Sequence, residues 1–172
     1  MHAARDRRRE LGLTGGEWNL AGRTDFTHDE WTGLRKAMMG APVLVALCEG
    51  GGEDMIPEML AVSEHLLSAR RSHRSQLVRE LADIRRFNSG FQTGMSVAEF
   101  EGPALESIGT ALALVTSRTP AEAPAFKEFL VGLAETAANA HKEGSFMGLG
   151  GSRISQAEAA AIAKVKGALG MA

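Results

Sequence analysis

Tyrosine is absent from the 172-residue chain, cysteine occurs once, tryptophan twice and proline five times. A single cysteine excludes an intramolecular disulfide and any zinc site built on a cysteine pair. No run approaches the ~20 apolar residues of a membrane span. The charged segment Met1–Arg9 is not followed by the apolar core and small-residue cleavage site of a secretory signal, so the expected location is the cytoplasm. No stretch alternates apolar and polar side chains for long enough to make a strand. Several signatures of named chemistry are also missing: a Gly-x-Ser-x-Gly elbow, a phosphate loop ending in Gly-Lys-Ser/Thr, His-x-x-x-His, and the Glu-x-x-His of di-iron bundles. No catalytic residue and no cofactor is therefore assigned.

Twenty glycines without a period, beside so few prolines, argue against collagen-like or wholly disordered chains. With 44% apolar and 23% charged residues, the length fits one globular domain. The net charge of −2 conceals an asymmetry: residues 1–9 carry four arginines against one aspartate, and residues 70–86 carry six arginines against two acids. The remainder is strongly acidic, which suits an acidic body with one basic segment and a basic tail.

Residues 1–25 mix Gly12, Gly15, Gly16 and Gly22 with charged residues and read as a flexible arm, with 26–172 as a single all-helical domain. Thr27–Glu30 is a capping box that starts a helix carrying Trp31, Leu34 and Met38; Pro42 predicts two helices over 28–49, or one that kinks. Beyond Gly50–Gly52, the residues Ile56, Met59, Leu60, Ser63, Leu66 and Leu67 predict the buried face of a helix. Leu77, Leu81 and Ile84 continue it, so 54–87 is one long helix or two joined by a tight turn around Arg71–Ser75.

Ser96–Glu99 is a second box, read as a short turn before Gly102-Pro103 restarts the chain into Leu105, Ile108, Leu112 and Val115. Thr119–Glu122 is a third, leading to Phe126, Phe129, Leu130, Leu133 and Ala137. Ser155–Glu158 caps a last helix with Ile162, Val165 and Leu169, which Gly170 ends. The small residues Ala111, Ala113, Ala134, Ala137 and Ala138 predict close helix approaches. The fold class that follows is all-α: a single compact bundle of about six to eight helices with short loops.

Three candidate sites arise. The glycine-rich stretch before the last helix makes Gly148, Gly150, Gly151 and Arg153 an anion-binding candidate, because loop amides and a helix N-terminus both favour an anion; Phe146, Met147 and Leu149 in the same loop favour a packed apolar turn instead. Glu58 and His65 are seven apart, as are Glu128 and Glu135, so facing helices could hold a metal among them; solvated faces with salt bridges explain the same residues. Arg70, Arg71, Arg74, Arg79, Arg85 and Arg86 suit a protein partner or a second copy of the chain better than nucleic acid, since no aromatic platform is interleaved; they can also pair with the chain's own acids. Cys48, in an apolar run, reads as a small apolar side chain.

The segment Lys142–Glu158, with Thr27–Trp31 and Ala41-Pro42, resembles a group of bacterial helical proteins that end in a glycine-rich apolar loop and a capped Ala-rich helix. That resemblance brings no activity with it. Ser155–Glu158 is also similar, more distantly, to the helix start of the all-helical tellurite-resistance stress family, which implies metal or anion binding. Gly151-Ser152 replaces the Asp-Gly that commonly precedes the helix there, and with it the acid that would hold a metal. The two functions to be separated are a non-catalytic, partner-binding or self-associating protein and a helical metal- or anion-binding stress protein.

Overall fold

A computed structural model describes residues 22–48, 55–83, 95–140 and 154–171. Among these are six α-helices and no strand: α1 (His28–Leu47), α2 (Ile56–Ser72), α3 (Gln76–Leu81), α4 (Val97–Arg118), α5 (Ala123–Ala140) and α6 (Gln156–Ala168). The all-helical bundle is as the sequence predicts.

The arrangement is organised around α1. From Ala37 to Leu47 every side of this helix is buried, the pattern of a helix enclosed by others rather than lying on a surface. Its main neighbours are α4 and α5, with α6, α2 and α3 also touching it. The run contains Pro42, yet α1 is one helix and not two. Proline removes one amide donor and crowds the preceding turn, at a cost of about 3 kcal/mol in an interior position. Burial of Met38 and Leu44 on one side and of Ala46 and Leu47 on the other holds the segment helical despite it. Pro103 is likewise inside α4, so the expected restart at Gly102-Pro103 gives way to one helix running from the Ser96 cap to Arg118.

The capping boxes at Thr27, Ser96 and Ser155 form as predicted, each hydroxyl accepting from the third amide while the Glu carboxylate accepts from the cap's own N–H. Burdened with a second contact, Glu30 also takes a 2.6 Å hydrogen bond from Arg118 and so ties the start of α1 to the end of α4. Its carboxyl is held below the usual range by the Thr27 amide and by Arg118. The third predicted box fails. Thr119 is buried, and its hydroxyl donates back to the Val115 carbonyl at 3.2 Å, closing α4 instead of opening the next helix. Pro120–Glu122 is a 3-10 turn before α5.

The chain is ordered earlier than composition indicates: residues 23–25, placed in the arm by the sequence, form a 3-10 turn. The Arg23 amide donates to Glu80 of α3 at 2.6 Å, and the Arg23 guanidinium lies 5.4 Å from the Trp31 ring centre. The last helix closes at Gly170, whose φ of 60° is the left-handed conformation that favours glycine. Gly170 N–H donates to Gly167 and Met171 N–H to Lys166, so the final carbonyls are satisfied. Ala111, Ala134, Ala137 and Ala138 are buried as expected, whereas Ala113 is exposed. Cys48 is half-buried rather than enclosed, its thiol donating to the Leu44 carbonyl at 3.2 Å.

Candidate interaction surface

The second helix is where the structure departs furthest from the periodicity reading. Its buried line is Glu58, Val62, Leu66 and Ala69, at i, i+4, i+8 and i+11. Of the six residues expected on the core face, only Leu66 is fully buried; Ile56, Leu60 and Leu67 point the other way, 66%, 61% and 43% exposed. At 100° per residue these three fall within roughly 40° of one another and span about 16 Å of helix. They are the large hydrophobic side chains that the described residues leave exposed, and all of them lie on one strip of one helix. Scattered single apolar residues need no explanation, but an aligned set does.

The cause of the reversal is α5. The α2–α5 contact closes around Phe129, which is buried and lies with its ring centre 5.9 Å from those of both His65 and His73. Thr136 donates its hydroxyl hydrogen to the Gly132 carbonyl at 2.8 Å, so the 2.7 Å contact between it and His65 is donated by the imidazole Nδ1–H. His73 sits in the turn between α2 and α3 and accepts the Ser75 amide at Nδ1, 3.1 Å away. Neutral rings make both bonds. Burial, followed by His73, holds the His65 imidazole below the ordinary range; burial, with Arg74 and Arg79 nearby, does the same for His73.

A pH dependence follows with a definite sign. Because the unfolded chain takes up these protons at the ordinary imidazole pKa of about 6.5 and the folded chain only below it, stability falls as the pH drops through that value. The carboxylates held low by their caps, Glu30 and Glu99, respond further down the scale. Urea midpoints are therefore expected to be lower at about pH 5.5 than at about pH 7.5, and replacing both histidines by Gln should flatten the difference. Equal wild-type midpoints would refute it.

The arginine-rich segment is two helices joined by the His73–Ser75 turn, the second of the two alternatives. Three of its four described arginines are engaged within the chain. Arg70 Nε lies 3.7 Å from Asp83, and Arg74 hydrogen-bonds Glu128 of α5 at 2.8 Å. Arg79 donates to the His73 and Arg74 carbonyls, at 2.5 and 3.3 Å, so it braces the turn. Arg71 is exposed with no partner among the described residues, while Arg85 and Arg86 lie outside them.

The suggested metal ligands are dispersed in the same way. Glu58 is buried in the first turn of α2, His65 bonds Thr136, Glu128 pairs with Arg74, and Glu135 takes a 3.0 Å contact from Lys166 of α6. No group of three or more His, Cys, Asp or Glu side chains arranged to hold a metal occurs among the described residues. The anion candidates Gly148, Gly150, Gly151 and Arg153 lie outside the described residues, as does His141. No described helix is long and apolar enough to cross a membrane.

Compared with protein-family models, with curated proteins and with solved structures, the chain matches none.

Proposed function

We propose that this chain works by binding a protein surface rather than by catalysis, and that its docking surface is the outer face of α2. The observation that carries the reading is the alignment of Ile56, Leu60 and Leu67 on one exposed strip, while all other large apolar side chains of the described helices are at least partly buried. Leaving such side chains in water forfeits roughly 1.5–3 kcal/mol apiece relative to full burial. An amphipathic partner laid along the strip recovers that energy through anchors at helical spacing. The arginines then have a more local role than a broad basic face: Arg70, Arg74 and Arg79 build the end of α2, and Arg71 borders the strip.

Hydroxyl-radical labelling of the full chain tests this in three settings: dilute and pure, concentrated and pure, and added to concentrated cell extract. Ile56, Leu60 and Leu67 should label freely in the first and be protected in at least one of the others, with Phe126 unreactive throughout. Equal labelling of the strip in all three settings would overturn the reading.

A further inference from the structure

We infer that His73 is a proton-operated pin for one corner of the bundle: a second proton on its ring releases α3, and with α3 the chain at residues 22–25, while the other helices stay packed. The geometry of the His73–Ser75 turn carries the argument. His73 Nδ1 accepts the Ser75 amide at 3.1 Å, so the neutral ring carries its hydrogen on Nε2 and the next proton goes to Nδ1. There it meets an N–H. The bond becomes a contact between two donors, and the amide of Ser75, a buried residue, loses its acceptor. His65 is arranged differently: its Nδ1–H donates to Thr136 at 2.7 Å, and a second proton on Nε2 leaves that bond intact.

Ser75 in turn holds α3. Its hydroxyl accepts the Val78 amide at 3.0 Å as the helix cap, and its carbonyl accepts the Arg79 amide at 3.2 Å. With only Gln76–Leu81, α3 is too short to sustain itself, so it cannot lose its cap and keep the rest; it opens as a unit. Glu80 leaves with it. That carboxylate is oriented by the Gln76 side-chain amide at 2.7 Å and accepts the Arg23 amide at 2.6 Å. It comes so near the chain that a Cβ on Gly22 would lie 2.6 Å from Oε2. Glu80 is thus the fastening for the 3-10 turn at Arg23–Asp25 and for Phe26 beyond it.

The charges around His73 give the opening its direction. Arg74 in the turn and Arg79 on α3 oppose a positive charge on the ring, as does a charged His65 on α2; Glu122, in the 3-10 turn ahead of α5, favours one, and Glu128 of α5 is engaged by Arg74. Two guanidiniums against the Glu122 carboxylate leave the imidazolium better placed in an opened corner. Asp83, just past α3, keeps Arg70 beside it and its carbonyl accepts from Arg35, so the chain stays tied to the bundle on the far side.

Hydroxyl-radical labelling of the full chain at about pH 7.5 and about pH 5.0, scored against the exposed Leu60, tests the pin. Phe26, Leu77 and Leu81 are buried in the closed corner and should label together about fivefold faster at the lower pH. Phe126 should stay unreactive at both. His73→Asn places an amide oxygen, which does not titrate, close to the position of Nδ1; in that variant all three reporters should stay protected at both pH values, whereas His65→Gln should keep the wild-type response. Equal labelling of Leu77 and Leu81 at the two pH values overturns the inference. So does a rise shared by Phe126, which is general unfolding, a rise of the α3 residues without Phe26, or a response that persists in His73→Asn. An NMR titration of the wild-type chain needs no variant: the Arg23 and Ser75 amide signals should move with the midpoint of the His73 ring, and movement with that of His65 instead would equally overturn it.

Discussion

Phe126→Ala is expected to lower stability by about 3–5 kcal/mol, toward the upper end of that range, and the melting temperature by roughly 10 °C. Phe126 is the largest fully buried side chain among the described residues. It is carried by α5, which packs against α1, α2 and α6 together and also touches α4. A cavity costs least where one of its walls can collapse inward, and α5 is held on too many sides for that. Phe129, a turn away, is fixed between His65 and His73, and Arg74 reaches across to Glu128. Urea unfolding checks the value. Leu60→Ala is the control: an equally apolar side chain lost from the exposed strip should change stability by no more than about 0.5 kcal/mol. A Phe126→Ala loss below about 1 kcal/mol would mean that the phenyl group is not enclosed as described.

The contrast between those two residues also shows what the sequence can and cannot convey. For α5 the spacing of Phe126, Phe129, Leu130, Leu133 and Ala137 is unambiguous, and all five are buried. The boxes at Thr27, Ser96 and Ser155 are legible because a cap is a local transaction between residues three apart. Thr119 presents the same local pattern, but its hydroxyl has a helix carbonyl behind it as well as amides ahead, and the choice between them is made by burial. For α2, two apolar lines run along one helix. The bulkier one looks like the core face, yet the line with the smaller Val62 and Ala69, together with Glu58, is the one that α5 and its neighbours cover. Which line meets the protein depends on Phe129, some 60 residues away in the chain, and no periodicity within α2 contains that information. The charges follow the same logic: composition shows a basic segment facing an acidic body, while the fold spends Arg70 and Arg74 on acids of the same chain and leaves Arg71 and Glu64 at the strip.

The tightest quantitative test of the bundle lies where α1 crosses α4. A Cβ placed on Gly40 would sit 3.6 Å from the Ala104 Cβ and 4.0 Å from its Cα, which is ordinary van der Waals contact. Gly40→Ala should therefore raise stability by about 0.5–1 kcal/mol, because glycine inside a helix carries that entropic penalty and here nothing requires its absent side chain. Gly40→Leu should do the opposite, lowering stability by about 3 kcal/mol. Leucine is itself a good helix former, so propensity does not account for a loss. The added carbons have only Ala104 and the α4 backbone to enter, in a stretch of α1 that is buried all round. If that steric reading is right, Ala104→Gly should relieve Gly40→Leu while being destabilising on its own, a coupling that a double-mutant cycle measures directly. Additive effects would show that the overpacking strain lies elsewhere. A destabilising Gly40→Ala would show that α1 and α4 approach more closely than 3.6 Å allows.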